Sequence, residues 1–477
     1  MNKLKNILND HSHPCWVFIQ QFTIRGLLGV KFLILAGMLD PSGVGIISLV
    51  LLSLTLIEAL TEMGIMQAIV QNKKVIEHYQ IIWTLQFVRG FIISFVMILL
   101  NELIVNVLNE PAAKDVLLLA AFVPLIRNAA SSKYYYEIRN KNFKTISIIY
   151  GSSSVFDLVG SILLVGFFKE PIYAIIPLLV SESVKALLTH ILFGWTIKFD
   201  FRFKMIREVL AYGRWIWGNS ISSLFVNQFD KIVVSTFLGA QTLGLYQMGQ
   251  KMTQLAVADI SYAAGQYLFP QFSELFRQPG ERSNLKIYYI NIVLLMTGFS
   301  FLLTSFVFMY SDIIINALFG PSWSGITNLI QLMMIGSSLS AITYISVIYN
   351  RAIGKPKKVT VVSYVQLVLS VLLSLVFIKF FNVEGLIISG IITNLMSNIL
   401  LNASFGEKLK CLKKSLTENL STIIVNTGIL LLFYLIYLIL PFNLGFLLNL
   451  GVFCVGSVFL GRIFLKRRPV VSVGPGG

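Results

Sequence analysis

The sequence predicts an all-α integral membrane protein with about 14 transmembrane helices. Three observations predict it. Mostly apolar runs recur between short polar gaps, each near the roughly 20 helical residues that cross a bilayer core. Hydrophobic residues make up 56% of the chain and charged residues 13%, about half the charge that a soluble surface carries. Basic residues fall in alternate gaps, which orders the spans across the membrane.

The apolar runs are 16–38, 44–66, 81–107, 116–133, 145–168, 172–196, 215–238 and 242–269. They continue as 287–310, 322–349, 359–380, 385–404, 420–440 and 444–464. One set of gaps is basic: Lys73 and Lys74; Arg139, Lys141 and Lys144; Lys198 and Arg202; Arg277 and Arg282; Lys355 and Lys357; Lys408 and Lys410; Lys466 and Arg467. The alternate gaps are acidic, mixed or neutral, at Asp40, Glu110 with Lys114, Lys169 with Glu170, 239–241, Asp312, Glu384 and 441–443. The positive-inside rule then puts both termini in the cytoplasm. It also explains the net charge of +16 as orientation of the spans, without nucleic acid.

Several function classes are disfavoured. Cys15, Cys411 and Cys454 are far apart, and the four histidines lack metal-like spacing, so no disulfide framework, zinc site or cofactor is expected. No phosphate loop of the G-x-x-x-x-G-K-[ST] type occurs. The outer gaps are too short for a catalytic domain, which argues against an enzyme. The first apolar run lacks a small-residue cleavage site and reads as a retained span. Gly43, Gly45, Gly239 and Gly244 read as turn glycines at hairpin tips.

Two segments repeat. Leu39-Asp40-Pro41-Ser42-Gly43-Val44-Gly45-Ile46 matches Leu238-Gly239-Ala240-Gln241-Thr242-Leu243-Gly244-Leu245. Phe167-Phe168 matches Phe380-Phe381, and Lys144 matches Lys357. Two parallel six-span lobes account for this: 1–200 and 201–405, followed by two appended spans at 406–468 and a disordered Gly/Pro tail at 469–477.

Charge within a span is costly unless it is paired or wet, so its positions are functional candidates. The cations are Arg25, Lys31, Arg89, Arg127, Lys185, Lys231 and Lys251. The carboxylates, read as ion-coupling candidates for H+ or Na+, are Glu58, Asp157, Glu182, Asp230 and Asp259. Gln21, Asn219, Asn227, Gln247, Gln254, Asn394 and Asn398 offer amides to sugar hydroxyls or tie helices together. Glu182 and Lys185 either neutralise each other or face a ligand. Arg25 and Lys31 have no acidic neighbour in their own span, which favours solvated or ligand-facing positions. The first eight spans supply ions, and the later ones supply amides and hydroxyls.

Trp217-Gly218-Asn219-Ser220, Asp230-Lys231-Ile232-Val233-Val234, Phe237-Leu238-Gly239 and Leu243-Gly244-Leu245-Tyr246 together resemble the start of the second lobe in Wzx-like polysaccharide flippases. Those proteins belong to the multidrug/oligosaccharidyl-lipid/polysaccharide superfamily. The resemblance implies two lobes in a V shape around a cationic cavity. It implies transfer of an undecaprenyl-pyrophosphate-linked oligosaccharide between leaflets, beside a polysaccharide polymerase and a chain-length regulator. A lipid II flippase and a cation-coupled multidrug antiporter of the same superfamily are the alternatives. A major-facilitator exporter is disfavoured, because 67–74 lacks that class's signature loop.

Overall fold

A computed structural model describes residues 15–62, 79–108, 110–140, 142–278, 280 and 282–402. The expected spans at 420–440 and 444–464, the tail, and the Lys73–Lys74 gap lie outside the described residues. Among the described residues there is no strand, and seven helices are long and apolar enough to cross a membrane. The chain divides into two compact units, Met1–Met248 and Gly249–Gly477.

The first unit begins with α1 (Cys15–Met38) and α2 (Pro41–Leu60). Asp40 starts α2 by accepting a hydrogen bond from the Gly43 amide at 2.8 Å, and Pro41 presets the first turn. After α3 (Tyr79–Leu108), the expected span at 116–133 divides into α4 (Lys114–Ala120) and α5 (Phe122–Asn128). Pro124 has no amide to give the carbonyl of Ala120, and this breaks the ladder. Then come α6 (Lys133–Arg139), α7 (Phe143–Phe168) and α8 (Ile175–Phe193). The 51-residue α9 (Phe203–Thr253) breaks at Gly239, whose φ of 79° favours glycine.

The second unit continues from the end of α9 through one π turn (Gln254–Ala258) into α10 (Asp259–Arg277). It is completed by α11 (Arg282–Phe319), α12 (Ile326–Ala352) and α13 (Pro356–Asn402). Its core gathers Leu268, Phe272, Leu285, Tyr288, Tyr289 and Tyr349. Tyr289 stacks on Tyr349 at 4.2 Å and meets Phe272 edge-on. Its hydroxyl shares hydrogen bonds with Ser346 at 2.7 Å and Asn402 at 3.0 Å.

Two backbone features follow the sequence repeat. Among the described residues only Lys169 and Asn382 have positive φ without being glycine, at 55° and 51°. Each directly follows a Phe-Phe pair, Phe167-Phe168 or Phe380-Phe381. The hairpin segments go further, because they touch each other within the first unit. A Cβ on Gly45 would lie 1.8 Å from the Ala240 carbonyl oxygen, and one on Gly244 would lie 2.0 Å from that of Pro41. Gly45 aligns with Gly244 in the repeat, and Pro41 aligns with Ala240, so the contact is reciprocal. Gly239 is a turn glycine as expected. Gly45 and Gly244 instead lie inside α2 and α9, where only a missing Cβ lets two backbones cross so closely.

Candidate functional site

Six helices of the first unit aim charged side chains at one another. The C-terminal end of α2 carries Glu58, with Glu62 just beyond it. Arg89 on α3 donates to the Glu58 carbonyl at 2.9 Å and to the Glu62 carboxylate at 3.2 Å. Arg127 on the short α5 bridges two helices. It donates to Glu58 Oε1 at 2.7 Å and to Glu182 Oε1 on α8 at 3.0 Å. Glu182 also pairs with Lys185, one helical turn along α8. Lys31 on α1 donates to Asp157 on α7 at 2.7 Å.

These groups line two cavities that share Arg127, Tyr150 and Lys185. The larger, about 520 Å³, is lined by Glu58, Glu62, Arg89, Arg127 and Lys185 together with uncharged Gln86, Tyr134, Tyr135 and Gln228. The smaller, about 360 Å³, adds Lys31, Asp157 and Glu182. α5 ends at Asn128, just after Arg127, and α6 follows with residues on the same wall. There Tyr134 and Tyr135 pack against each other, and Gln86 donates to the Tyr135 hydroxyl at 2.7 Å. Lys185 stands over the Tyr150 ring at 5.2 Å, a favourable placement for a cation at an aromatic face. Fixed cations suit phosphate oxygens, while amides, hydroxyls and aromatic faces suit sugar rings.

The structure gathers Glu58, Arg89, Arg127, Asp157, Glu182, Lys185 and Lys31. Lys31 has no acidic neighbour in its own span, yet it is ion-paired while lining the smaller cavity. Its partner Asp157 is 126 residues away on another helix, where pairing within one span cannot be read. The Glu182–Lys185 pair forms as one of the two expectations had it. Of Gln21, Arg25, Asn219 and Asn227 the structure describes the helical backbone alone. Lys231 donates to Gln228 at 2.9 Å, and Asp230 accepts from the Tyr246 hydroxyl at 2.7 Å. Gln247 and Lys251 lie half-buried on α9.

In the second unit, Gln254 donates to Asp259 at 3.5 Å across the π turn. Asn394 donates to the Gly390 carbonyl at 2.9 Å and accepts from Gln366 at 3.3 Å. Asn398 accepts from Asn402 at 2.9 Å. Sequence reasoning missed the tyrosines of the cavity wall and Gln86, while Glu62 stands at helical spacing from Glu58 in the second span. The run Lys133-Tyr134-Tyr135-Tyr136 at the start of a basic gap was the available signal for the tyrosines.

Comparisons with known proteins give the chain its kin. Residues 34–328, more than half of the chain, match the polysaccharide biosynthesis protein family. The stretch holds every cavity cation above except Lys31. The lipopolysaccharide biosynthesis protein WzxC of Escherichia coli K12 is 24% identical over 334 residues, 69% of this chain and 66% of that protein. The teichuronic acid biosynthesis protein TuaB of Bacillus subtilis is 21% identical over 324 residues, 67% of this chain and 66% of that protein. The chain thus spans just under two thirds of the length of these relatives. Among solved structures, the inward closed lipid II flippase MurJ has a TM-score of 0.69, at 14% identity over 94% of this chain and 98% of that one. An inward-facing multidrug transporter of the MATE family, in the MOP superfamily, has a TM-score of 0.58, at 15% identity over 84% and 98%. At these identities the structures speak for the fold alone. The chain belongs to the polysaccharide biosynthesis protein family and carries the multi-span membrane fold of the MOP superfamily.

Proposed function

We propose that the chain is a flippase that moves an undecaprenyl-pyrophosphate-linked oligosaccharide from the cytoplasmic to the outer leaflet of a bacterial inner membrane. It serves the assembly of O-antigen, capsule or exopolysaccharide and performs no covalent chemistry. The observation that supports this most is the cluster of Arg89, Arg127 and Lys185 around a 520 Å³ cavity that also offers amides and tyrosines. A diphosphate head group is anionic and strongly hydrated, and its polyprenyl tail need never leave lipid. Guanidiniums and an ammonium offset the loss of head-group hydration, and they favour anions over the cationic cargo of a drug antiporter. Uncharged donors then meet sugar hydroxyls one at a time.

Alternating access carries the head group across, with both termini in the cytoplasm. Entry of H+ or Na+ would engage Glu58, Asp157 or Glu182, which line the same cavities. The test is complementation of a strain lacking its own polysaccharide flippase. Wild type restores surface glycan. Arg127→Gln inserts normally and loses at least about tenfold of it, the equivalent of one weakened charged contact. Full glycan display by Arg89→Gln, Arg127→Gln and Lys185→Gln alike would refute the reading. Rescue of a lipid II flippase depletion would redirect it to the peptidoglycan precursor.

A further inference from the structure

Among the described residues, each cation that lines the two cavities meets a carboxylate: Lys31, Arg89, Arg127 and Lys185 meet Glu58, Glu62, Asp157 and Glu182. A site that served only to attract an anion would leave its cations in excess. The carboxylates also fall into two kinds. The side chains of Asp157 and Glu182 are 14% and 8% exposed, held by the buried Lys31 and the largely enclosed Lys185. The side chains of Glu58 and Glu62 are 25% and 33% exposed. They reach Arg127 and Arg89 from the end of α2, where the larger cavity lies. The side chain of Arg127, 36% exposed, is the most open of the paired cavity cations. Glu58 Oε1 stands 2.7 Å and Glu62 Oε2 stands 3.2 Å from the two guanidiniums, the distances a phosphate oxygen would take.

Building on the flippase reading, we propose that Glu58 and Glu62 are internal stand-ins for the anionic head group. They hold Arg127 and Arg89 before binding, yield them to diphosphate oxygens, and retake them on release. The physics favours exchange over simple attraction. A guanidinium left bare in a partly dry cleft is costly. Swapping one oxyanion for another keeps it satisfied at every stage. The displaced carboxylates face the cavity, where water can receive them, whereas Asp157 and Glu182 are too enclosed to leave their partners. Arg127 stays anchored throughout by its second bond, to Glu182. The affinity that remains is a difference between two similar interactions. That suits a site that must release its cargo as readily as it takes it up.

The experiment uses the full-length protein in lipid nanodiscs, with farnesyl pyrophosphate and inorganic pyrophosphate as probes, read by calorimetry and stopped-flow dissociation. The Glu58→Gln/Glu62→Gln double variant is expected to bind farnesyl pyrophosphate about tenfold tighter than wild type and to release it more slowly. Arg127→Gln is expected to lose a similar factor. If the double variant fails a thermal-shift check of folding, Glu62→Gln alone carries the test, because its carboxylate is the most open of the four. Unchanged or weaker binding by the glutamine variants, with Arg127→Gln still deficient, overturns the stand-in role and leaves the cationic site intact. Binding that is indifferent to Arg127→Gln as well overturns the site assignment itself. Equal affinity for the two probes in wild type would assign the site to a free anion and overturn the lipid-borne head group.

Discussion

The two compact units solve the same problem, burying polar groups among apolar helices, with different chemistry. Within residues 1–248 the buried polar set includes full charges, Lys31 and Glu182, held in ion pairs that link α1 to α7 and α2 to α5 and α8. Within residues 249–402 the described buried polar groups are hydroxyls and amides, such as Ser346, Asn350, Ser389 and Thr393. They tie helices by neutral bonds, as Ser374 does with Ser389 at 2.8 Å. An ion at depth is costly to place and more costly to strand, whereas a neutral hydrogen bond contributes about 1 kcal/mol. The contrast teaches that the first unit rests part of its stability on paired charges, while the second rests on neutral hydrogen bonds.

Stranding an ion gives the largest expected effect. Arg127→Ala leaves Glu58 and Glu182 without their shared cation and is expected to destabilise the first unit by about 3–5 kcal/mol. A thermal-shift series on detergent-solubilised protein measures it, with Arg127→Lys falling between. The Lys31–Asp157 pair sharpens the same point. Lys31→Met or Asp157→Leu alone should cost more than the two together, because the double variant strands no charge. Additive losses would show that the two groups act independently.

The glycine crossing probes geometry in place of charge. Gly45→Ala and Gly244→Ala each push a Cβ into a carbonyl oxygen and are expected to cost about 1–3 kcal/mol. The reciprocal contact predicts that the two losses are of similar size. Gly166→Ala, whose nearest neighbour is the Met38 methyl at 3.9 Å, serves as the tolerant control. The smallest effect belongs to the second unit. Tyr289→Phe removes bonds to Ser346 and Asn402 at a cost of about 1 kcal/mol, read by the same thermal shift, and leaves surface glycan intact. A loss there as large as that of Arg127→Ala would erase the contrast.

Much of this was legible in the chain. Apolar length and alternating basic gaps announce helices because the bilayer imposes both. The separation of ionic early spans from neutral later ones is visible in composition alone. The Phe-Phe pairs of the repeat also mark a shared backbone feature, because the left-handed breaks at Lys169 and Asn382 directly follow them. Pairings such as Lys31 with Asp157 were not legible, because helical spacing reports neighbours on one helix and says nothing of a helix 126 residues away. Gly45 and Gly244 were misjudged for a related reason. A glycine freed for a turn and a glycine emptied for a neighbour look alike until the neighbour is placed. The tyrosine wall was hidden in a short run that hydropathy assigns to an interface.

Translocation by purified protein tests the central claim most directly. Proteoliposomes carrying a fluorescent polyprenyl-diphosphate sugar in one leaflet report its transfer by quenching from outside. With wild type the protected pool empties. With Arg89→Gln/Arg127→Gln, assayed well below its lowered thermal midpoint so that it is folded, the account predicts transfer no faster than in protein-free vesicles. Transfer at the wild-type rate by that variant would contradict the claim that these two guanidiniums receive the head group.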